Sequence, residues 1–309
     1  MSRIAYAVLL TFITTAVNAT PMMATTSDVT NSLTDGVVTR LSMAGPLFNG
    51  TERIFNGGDP WSMIKGEKNE AKRYVNIDGE KFGYKAELAG LQVGYDHAIG
   101  NYRLGVSLLG ETGDIKSIGE PFKTDSDFYG ASLYGTWTGK RVNVIADISY
   151  VAGRNEVSFL NSGVADVDTS SISTGLRFET SFYAKGISFV PYYGVRFTRV
   201  ESDDLEKNSF DDVQYWQFPV GVNAGYEFTC RAGWKTRFQV DASVVPTAGT
   251  RKTYTNGVSY RIMDSLQYRF KAGLNTSRGA HAFGLNYETA FAAHGRFNQA
   301  LVANYQFMY

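Results

Sequence analysis

"WQFPVGVNAGYEF" occupies residues 216–228 and changes character at every step. Trp216, Phe218, Val220, Val222, Ala224, Tyr226 and Phe228 share one face, and Gln217, Pro219, Gly221, Asn223, Gly225 and Glu227 share the other. Successive side chains of an extended chain point to opposite sides, so this is the period of a β-strand and not of a helix. At about 3.3 Å per residue the stretch reaches about 40 Å, whereas strands of soluble domains usually hold about five or six residues. An apolar face of that length with aromatic rings near its ends suits a tilted strand that crosses a bilayer.

The same alternation recurs along the chain. In "FYGASLYGTW" (128–137), Tyr129, Ala131, Leu133, Gly135 and Trp137 oppose Gly130, Ser132, Tyr134 and Thr136. "RVNVIADISY" (141–150) and "WKTRFQVDASV" (234–244) behave alike. Twelve such runs are expected, starting near Trp61, Phe82, Tyr102, Phe128, Arg141, Ser170, Ile187, Gln214, Gly233, Val258, Ala280 and Phe297. Long polar connections at 67–80, 114–126, 154–168, 201–212 and 249–257 alternate with short ones at 99–101, 138–141, 184–186, 230–233 and 277–279; the last long-side link, 293–296, is brief. Short periplasmic turns alternating with longer outside loops, around an even number of strands, describe an outer-membrane barrel. The expected fold class is all-β: a 12-stranded antiparallel transmembrane β-barrel over residues 60–309 with an N-terminal α-helix in its lumen.

That helix is expected over 28–45, capped by Ser27 or Asp28 and ended by Gly45 and Pro46. Val29, Leu33, Val37 and Leu41 recur every four residues as one apolar stripe, suited to packing on lumen residues such as Ile145 and Val190. Asn31, Ser32, Thr34, Asp35 and Arg40 lie on the other face. Residues 1–19 read as a secretory signal for the Sec translocon: Arg3, an apolar run at 4–17, and small residues before Ala19. Only residues 20–27 then separate signal from helix, as a short linker or vestigial passenger.

The 309 residues carry no net formal charge, which gives no reason to expect a nucleic-acid partner. Charge is instead sorted by face. Asp96, Arg103, Glu111, Asp147, Arg177, Glu179, Arg196, Glu227, Lys235, Arg237, Asp241, Arg269, Lys271 and Glu288 fall on the polar faces of the runs and are expected to line the lumen. A charge facing lipid at the bilayer midplane costs about 2–4 kcal/mol, so confinement to one face is the physical solution. No catalytic, metal or cofactor site is expected. Cys230 stands alone, His97, His281 and His294 are scattered, and no nucleophile elbow or HExxH motif is present. The acidic run at 201–212 reads as a solvated loop and "YTNG" (254–257) as a tight turn.

The chain closes on "NYQFMY" (304–309), where Tyr305, Phe307 and Tyr309 are expected on the lipid side with Leu301 and Ala303, and Val302, Asn304, Gln306 and Met308 inward. With the helix, "WSMIKGE" (61–67), "LAGLQVGYDHAI" (88–99) and "DSDFYGASLYGTW" (125–137), this ending resembles the C-terminal translocator domain of autotransporters, over about residues 25–309. The resemblance implies a monomeric barrel that exports or anchors an N-terminal passenger at the surface of a Gram-negative bacterium. It also implies that the terminal aromatics Tyr305, Phe307 and Tyr309 are an address read by the barrel-assembly machinery, with periplasmic chaperones on the way and outer-membrane lipid at the end. Two features depart from the family: a terminal Tyr where Phe is more usual, and only about residues 20–27 in place of a passenger, as expected of a passenger-less barrel or of a remnant or fragment of a longer gene. The linker Asn–Asn pair at which some relatives cut themselves is missing, so no such cleavage is expected. A passenger-less pore or adhesin-like barrel, and an outer-membrane barrel enzyme, are the alternative readings.

Overall fold

The computed structural model describes residues 3–44, 57–77, 80–118, 122–159, 163–203, 210–230, 233–255, 258–293 and 295–308, with helix side chains described over 21–41. The described residues form one helix, α1 (Arg3–Ala44), and sixteen β segments. These are β1 (Gly57–Ile77), β2 (Glu80–Ile99), β3 (Tyr102–Ile118), β4 (Phe122–Thr138), β5 (Val142–Phe159), β6 (Gly163–Thr180), β7 (Phe182–Ala184), β8 (Ile187–Ser202), β9 (Val213–Gln217), β10 (Val220–Thr229), β11 (Lys235–Thr250), β12 (Lys252–Thr255), β13 (Val258–Arg261), β14 (Leu266–Arg278), β15 (His281–Ala292) and β16 (Arg296–Phe307).

They make twelve barrel strands, because β7 continues β6 past Ser181, β10 continues β9 past Phe218 and Pro219, and β12–β13 is a separate hairpin. All pairings are antiparallel, and the cylinder closes where β1 meets β16, from Trp61 opposite Gln306 to Ala71 opposite Arg296. Closure leaves no open strand edge over that height, which is the condition for β structure to sit in lipid. The break in β9–β10 follows from chemistry: Pro219 has no N–H to give to a ladder. Its carbonyl still accepts from Gly194 N at 2.9 Å, while Phe218 N turns to Pro246 O at 2.9 Å.

Alternation decides inside from outside throughout. On β3 Leu104, Val106 and Leu108 are exposed while Arg103, Ser107 and Leu109 are buried. The exposed apolar face is bounded by rings, with Tyr102 opposite Trp137 at one end and Tyr129 and Tyr150 toward the other. The end beside Tyr102 carries tight turns that use left-handed backbone at Gly100, Lys185, Gly186, Gly233 and Gly279.

Several sequence expectations are corrected. The connections expected at 67–80, 114–126 and 154–168 are mostly strand, since β1 to β6 rise well beyond the apolar band. Their outward face is polar and their inward face carries apolar residues such as Ile115, Val157 and Val167, so they lack the apolar outer face that marks a lipid-crossing segment. Glu87, Asp114, Asp125, Glu156 and Asp166 sit in one cross-strand row there, answered by Lys68 and Lys123. The run expected from Val258 is the hairpin β12–β13, and the barrel strand starts at Leu266. Of "YTNG", Tyr254 and Thr255 pair with Ser259 and Val258, while Asn256 and Gly257 lie outside the described residues, as do 204–209 of the acidic run. The helix does not start at a Ser27 or Asp28 cap: it is continuous from Arg3 and takes in the stretch read as a signal. Gly45 and Pro46 lie outside the described residues. No described helix is long and apolar enough to cross a membrane, which says nothing of the strands.

Candidate functional site: the lumen and its helix

The helix lies inside the cylinder, against β3 to β6 and β8. Val29, Leu33, Val37 and Leu41 are all buried, and burying such side chains contributes about 1.5–3 kcal/mol each. Val29 and Leu33 pack among Leu88, Leu109, Phe128 and Val151. Val37 and Leu41 pack among Trp61, Met63, Tyr134, Ile145 and Val302. Ile145 is therefore a partner of the stripe, whereas Val190, though buried, is not in either cluster. Gly130 makes room for Leu33: a Cβ there would lie 3.0 Å from a Leu33 methyl.

Within the stretch 20–27, read as linker or vestigial passenger, residues 22–27 are wholly buried. Met22, Met23 and Ala24 fill a collar of Tyr84, Ile115, Phe210, Tyr215, Tyr260, Ile262 and Met263 at the end of the barrel opposite the tight turns. The polar residues beside them are satisfied locally. Thr25, Thr26 and Thr30 donate to carbonyls four residues back at 2.8 Å, and Ser27 meets the Tyr215 hydroxyl at 2.6 Å.

Among the described helix side chains, each charge meets an opposite charge on the wall. Asp28 pairs with Arg296 at 2.5 Å, both buried, and Arg296 also donates to Ile262 O at 2.5 Å, tying helix, β16 and hairpin together. Asp35 faces Arg269 at 3.4 Å. Arg40 reaches Asp96 at 2.8 Å and Asp59 at 3.3 Å. Arg103 bridges the same two carboxylates, at 2.7 Å to Asp59, and Tyr134 donates to Asp96 at 3.0 Å while accepting from Trp61 at 2.8 Å. Neutral contacts fill the gaps: Lys271 donates to Thr39 at 2.5 Å and Lys65 to Ser32 at 2.7 Å.

Several other lumen charges pair within the wall. Arg196 holds Asp147 at 2.6 Å, Arg177 holds Glu179 at 2.8 Å and stacks on Tyr192, Tyr192 donates to Asp241 at 2.7 Å, and Lys271 holds Glu288 at 2.6 Å. Arg237 donates to Asn223 and Ser188 and sits opposite Glu227. Lys235 shares that inward face, opposite Thr229 near the tight turns. Beside the helix a polar space remains, lined by Asp35 of the helix and by Asp147, Arg196, Asp241, Arg269, Lys271 and Glu288 of the wall.

Sequence reasoning missed Asp59, Lys65, Glu67 and Arg296, all inward. The signal was available: Asp59, Trp61, Met63, Lys65 and Glu67 share one parity, as do Arg296, Val302 and Gln306. In the terminal strand Val302, Asn304 and Gln306 are buried, while Leu301 and Ala303 are exposed. Tyr305 and Phe307 lie on the outward parity, where His281 Nδ1 is 2.9 Å from the Tyr305 hydroxyl and the His281 ring is 5.2 Å from Phe307. Tyr309 and His294 are outside the described residues.

A family model described as autotransporter β-domain matches residues 63–294. The chain belongs to this family. No curated protein sequence matches it. Among solved structures, the transport unit of the autotransporter AIDA-I from Escherichia coli superposes with a TM-score of 0.67 at 14% identity, over 88% of this chain and 97% of that one. The translocator domain of the autotransporter NalP from Neisseria meningitidis gives 0.64 at 12% identity, over 93% and 99%. The β domain of the Bordetella autotransporter BrkA gives 0.60 at 13%, over 82% and 99%. At these identities the likeness is one of fold, and it is the fold derived above: twelve antiparallel strands closed around an N-terminal helix. The protein is thus an autotransporter barrel of the Gram-negative outer membrane.

Proposed function

We propose that this autotransporter barrel carries what precedes the buried stretch 21–41 of its helix across the outer membrane and then holds it there, that stretch becoming the plug. The observation that supports this is the polarity of the helix. Val37 and Leu41 pack on Trp61 and Met63 of β1 toward the tight-turn end, and Met22, Met23 and Ala24 fill the collar at the opposite end. In outer-membrane barrels the short turns are periplasmic. Whatever precedes Pro21 therefore belongs outside, with the tall β1–β6 rim at the cell surface. The lumen supplies a polar path for an extended chain, and the helix fills it afterward.

On the same reading the chain is a monomer that enters the periplasm through the Sec translocon on a signal at 1–19, and periplasmic chaperones keep it unfolded. The barrel-assembly machinery takes it up through the strand bearing Tyr305, Phe307 and Tyr309. The work is mechanical and not catalytic: the inward carboxylates Asp147, Glu179 and Glu288 are engaged by arginine or lysine in structural pairs.

The test is an epitope tag inserted after Thr20, ahead of the buried collar, in cells that display a heat-modifiable barrel. Antibody binding and external proteolysis on intact cells are expected. A tag protected from both, with the barrel in place, overturns the export reading. The space beside the helix then favours a second reading, a water-filled pore.

A further inference from the structure

Between residues 4 and 44 the chain has three charged side chains, Asp28, Asp35 and Arg40. Their wall partners carry the complementary order of charge: Arg296, Arg269, then the Asp59–Asp96 pair. We propose that Asp59 and Asp96, gathered by Arg103 and Tyr134, form a guanidinium-binding site in the barrel wall whose ligand is Arg40 of the same chain, and that this site fixes where the exported chain comes to rest.

The two carboxylates of this site belong to adjacent wall strands. Asp59 and Asp96 are directly opposite each other on β1 and β2, with side chains 2% and 0% exposed. Like charges opposite one another repel, and Arg103 brings one positive charge to the two. Arg40 brings another, and burial at the lumen wall makes its loss costly. Arg40 is the only cation that α1 offers after Arg3. A slip of one helical turn, about 5.4 Å, would set Gly36 or Ala44 against the carboxylates. Such a slip also parts Asp28 from Arg296, about 18 Å up the helix. A weakly hydrated, planar guanidinium leaves water for such a site more readily than an ammonium. The inference deepens the export reading and rests on it.

The test uses the complete barrel, with single-channel conductance in planar bilayers and heat-modifiability as the measure of assembly. Arg40→Ala is expected to raise mean conductance several-fold by loosening the helix. Millimolar guanidinium should restore the low conductance, and ammonium at equal ionic strength should not. Asp96→Asn is expected to raise conductance without any response to guanidinium. Unchanged conductance in Arg40→Ala, equal rescue by both cations, or rescue of Asp96→Asn would each overturn the proposal. If Arg40→Ala does not assemble alone, assembly in guanidinium but not ammonium supports the site, and assembly in neither overturns it. The surface tag after Thr20 in the unmutated barrel reports separately on export itself.

Discussion

Gln92 of β2 lies in a notch that exists because residue 36 of the helix is glycine: a Cβ on Gly36 would sit 1.9 Å from the Gln92 Oε1. The Gln92 Nε2 donates to the Leu33 carbonyl at 3.2 Å and to Ser107 at 3.1 Å. A wall side chain thus touches the helix backbone itself, which no helix with a Cβ at that point would allow.

Gly36→Ala is expected to displace Gln92 and cost its two hydrogen bonds, about 1–3 kcal/mol for buried groups. The gain in helix propensity of about 1 kcal/mol partly hides this loss. The double variant with Gln92→Ala keeps the gain without the clash. Heat-modifiability midpoints for the four members of the cycle should therefore be non-additive, with Gly36→Ala stabilising only when Gln92 is gone. Additive midpoints would dismiss the notch.

Arg296→Met strands the Asp28 carboxylate in a buried site, and such a loss costs about 3–5 kcal/mol. It also frees the carbonyl of Ile262 from its tie to β16. External protease should then cut the hairpin between Lys252 and Arg261 faster than in the parent. Removing the charge on both sides, with Asp28→Asn added, should recover much of the thermal loss. Recovery absent from the double variant would show that Arg296 acts other than through Asp28.

Val106 lies mid-strand on the exposed face, between Tyr95 and Leu133 on neighbouring strands. Val106→Arg is expected to cost about 2–4 kcal/mol of folding into liposomes. Asn223→Arg, which enters the lumen space, should change that free energy little and alter conductance instead. Equal folding losses would mean that the inside and outside faces are misassigned.

Truncation after Asn304 removes the Trp61–Gln306 and Ser62–Tyr305 pairs that close the cylinder and the Phe307 pairing with His281. Loss of the heat-modifiable form from the outer membrane is expected. A truncated chain that still assembled would argue against an assembly role for Tyr305 and Phe307. Tyr305→Ala with Phe307→Ala separates the two effects, because it spares the backbone ladder while removing the rings.

Much of the barrel was legible because its rule is local. Each residue of a membrane strand faces either lipid or lumen, and the transfer cost of a charge enforces that choice position by position. Val106, Leu133 and Tyr226 could be placed outside, and Asp147, Arg237 and Glu288 inside, from parity alone. The helix stripe was equally readable, since Val29, Leu33, Val37 and Leu41 repeat every four residues.

What the amino-acid sequence determined by itself was therefore the class of the fold, its strand count and the two faces of each strand. Only the tertiary structure decided which charge meets which. Asp28 lies 268 positions from Arg296, and Asp35 lies 234 from Arg269. Their meeting depends on the stagger of the closed barrel and the depth of the helix, which no local pattern encodes. The same holds for the Met22–Met23 collar, the folding-over of Lys252–Arg261 and the height of β1 to β6 above the apolar band. There both faces leave lipid, the cost that sorts side chains vanishes, and packing against the helix and neighbouring strands takes over.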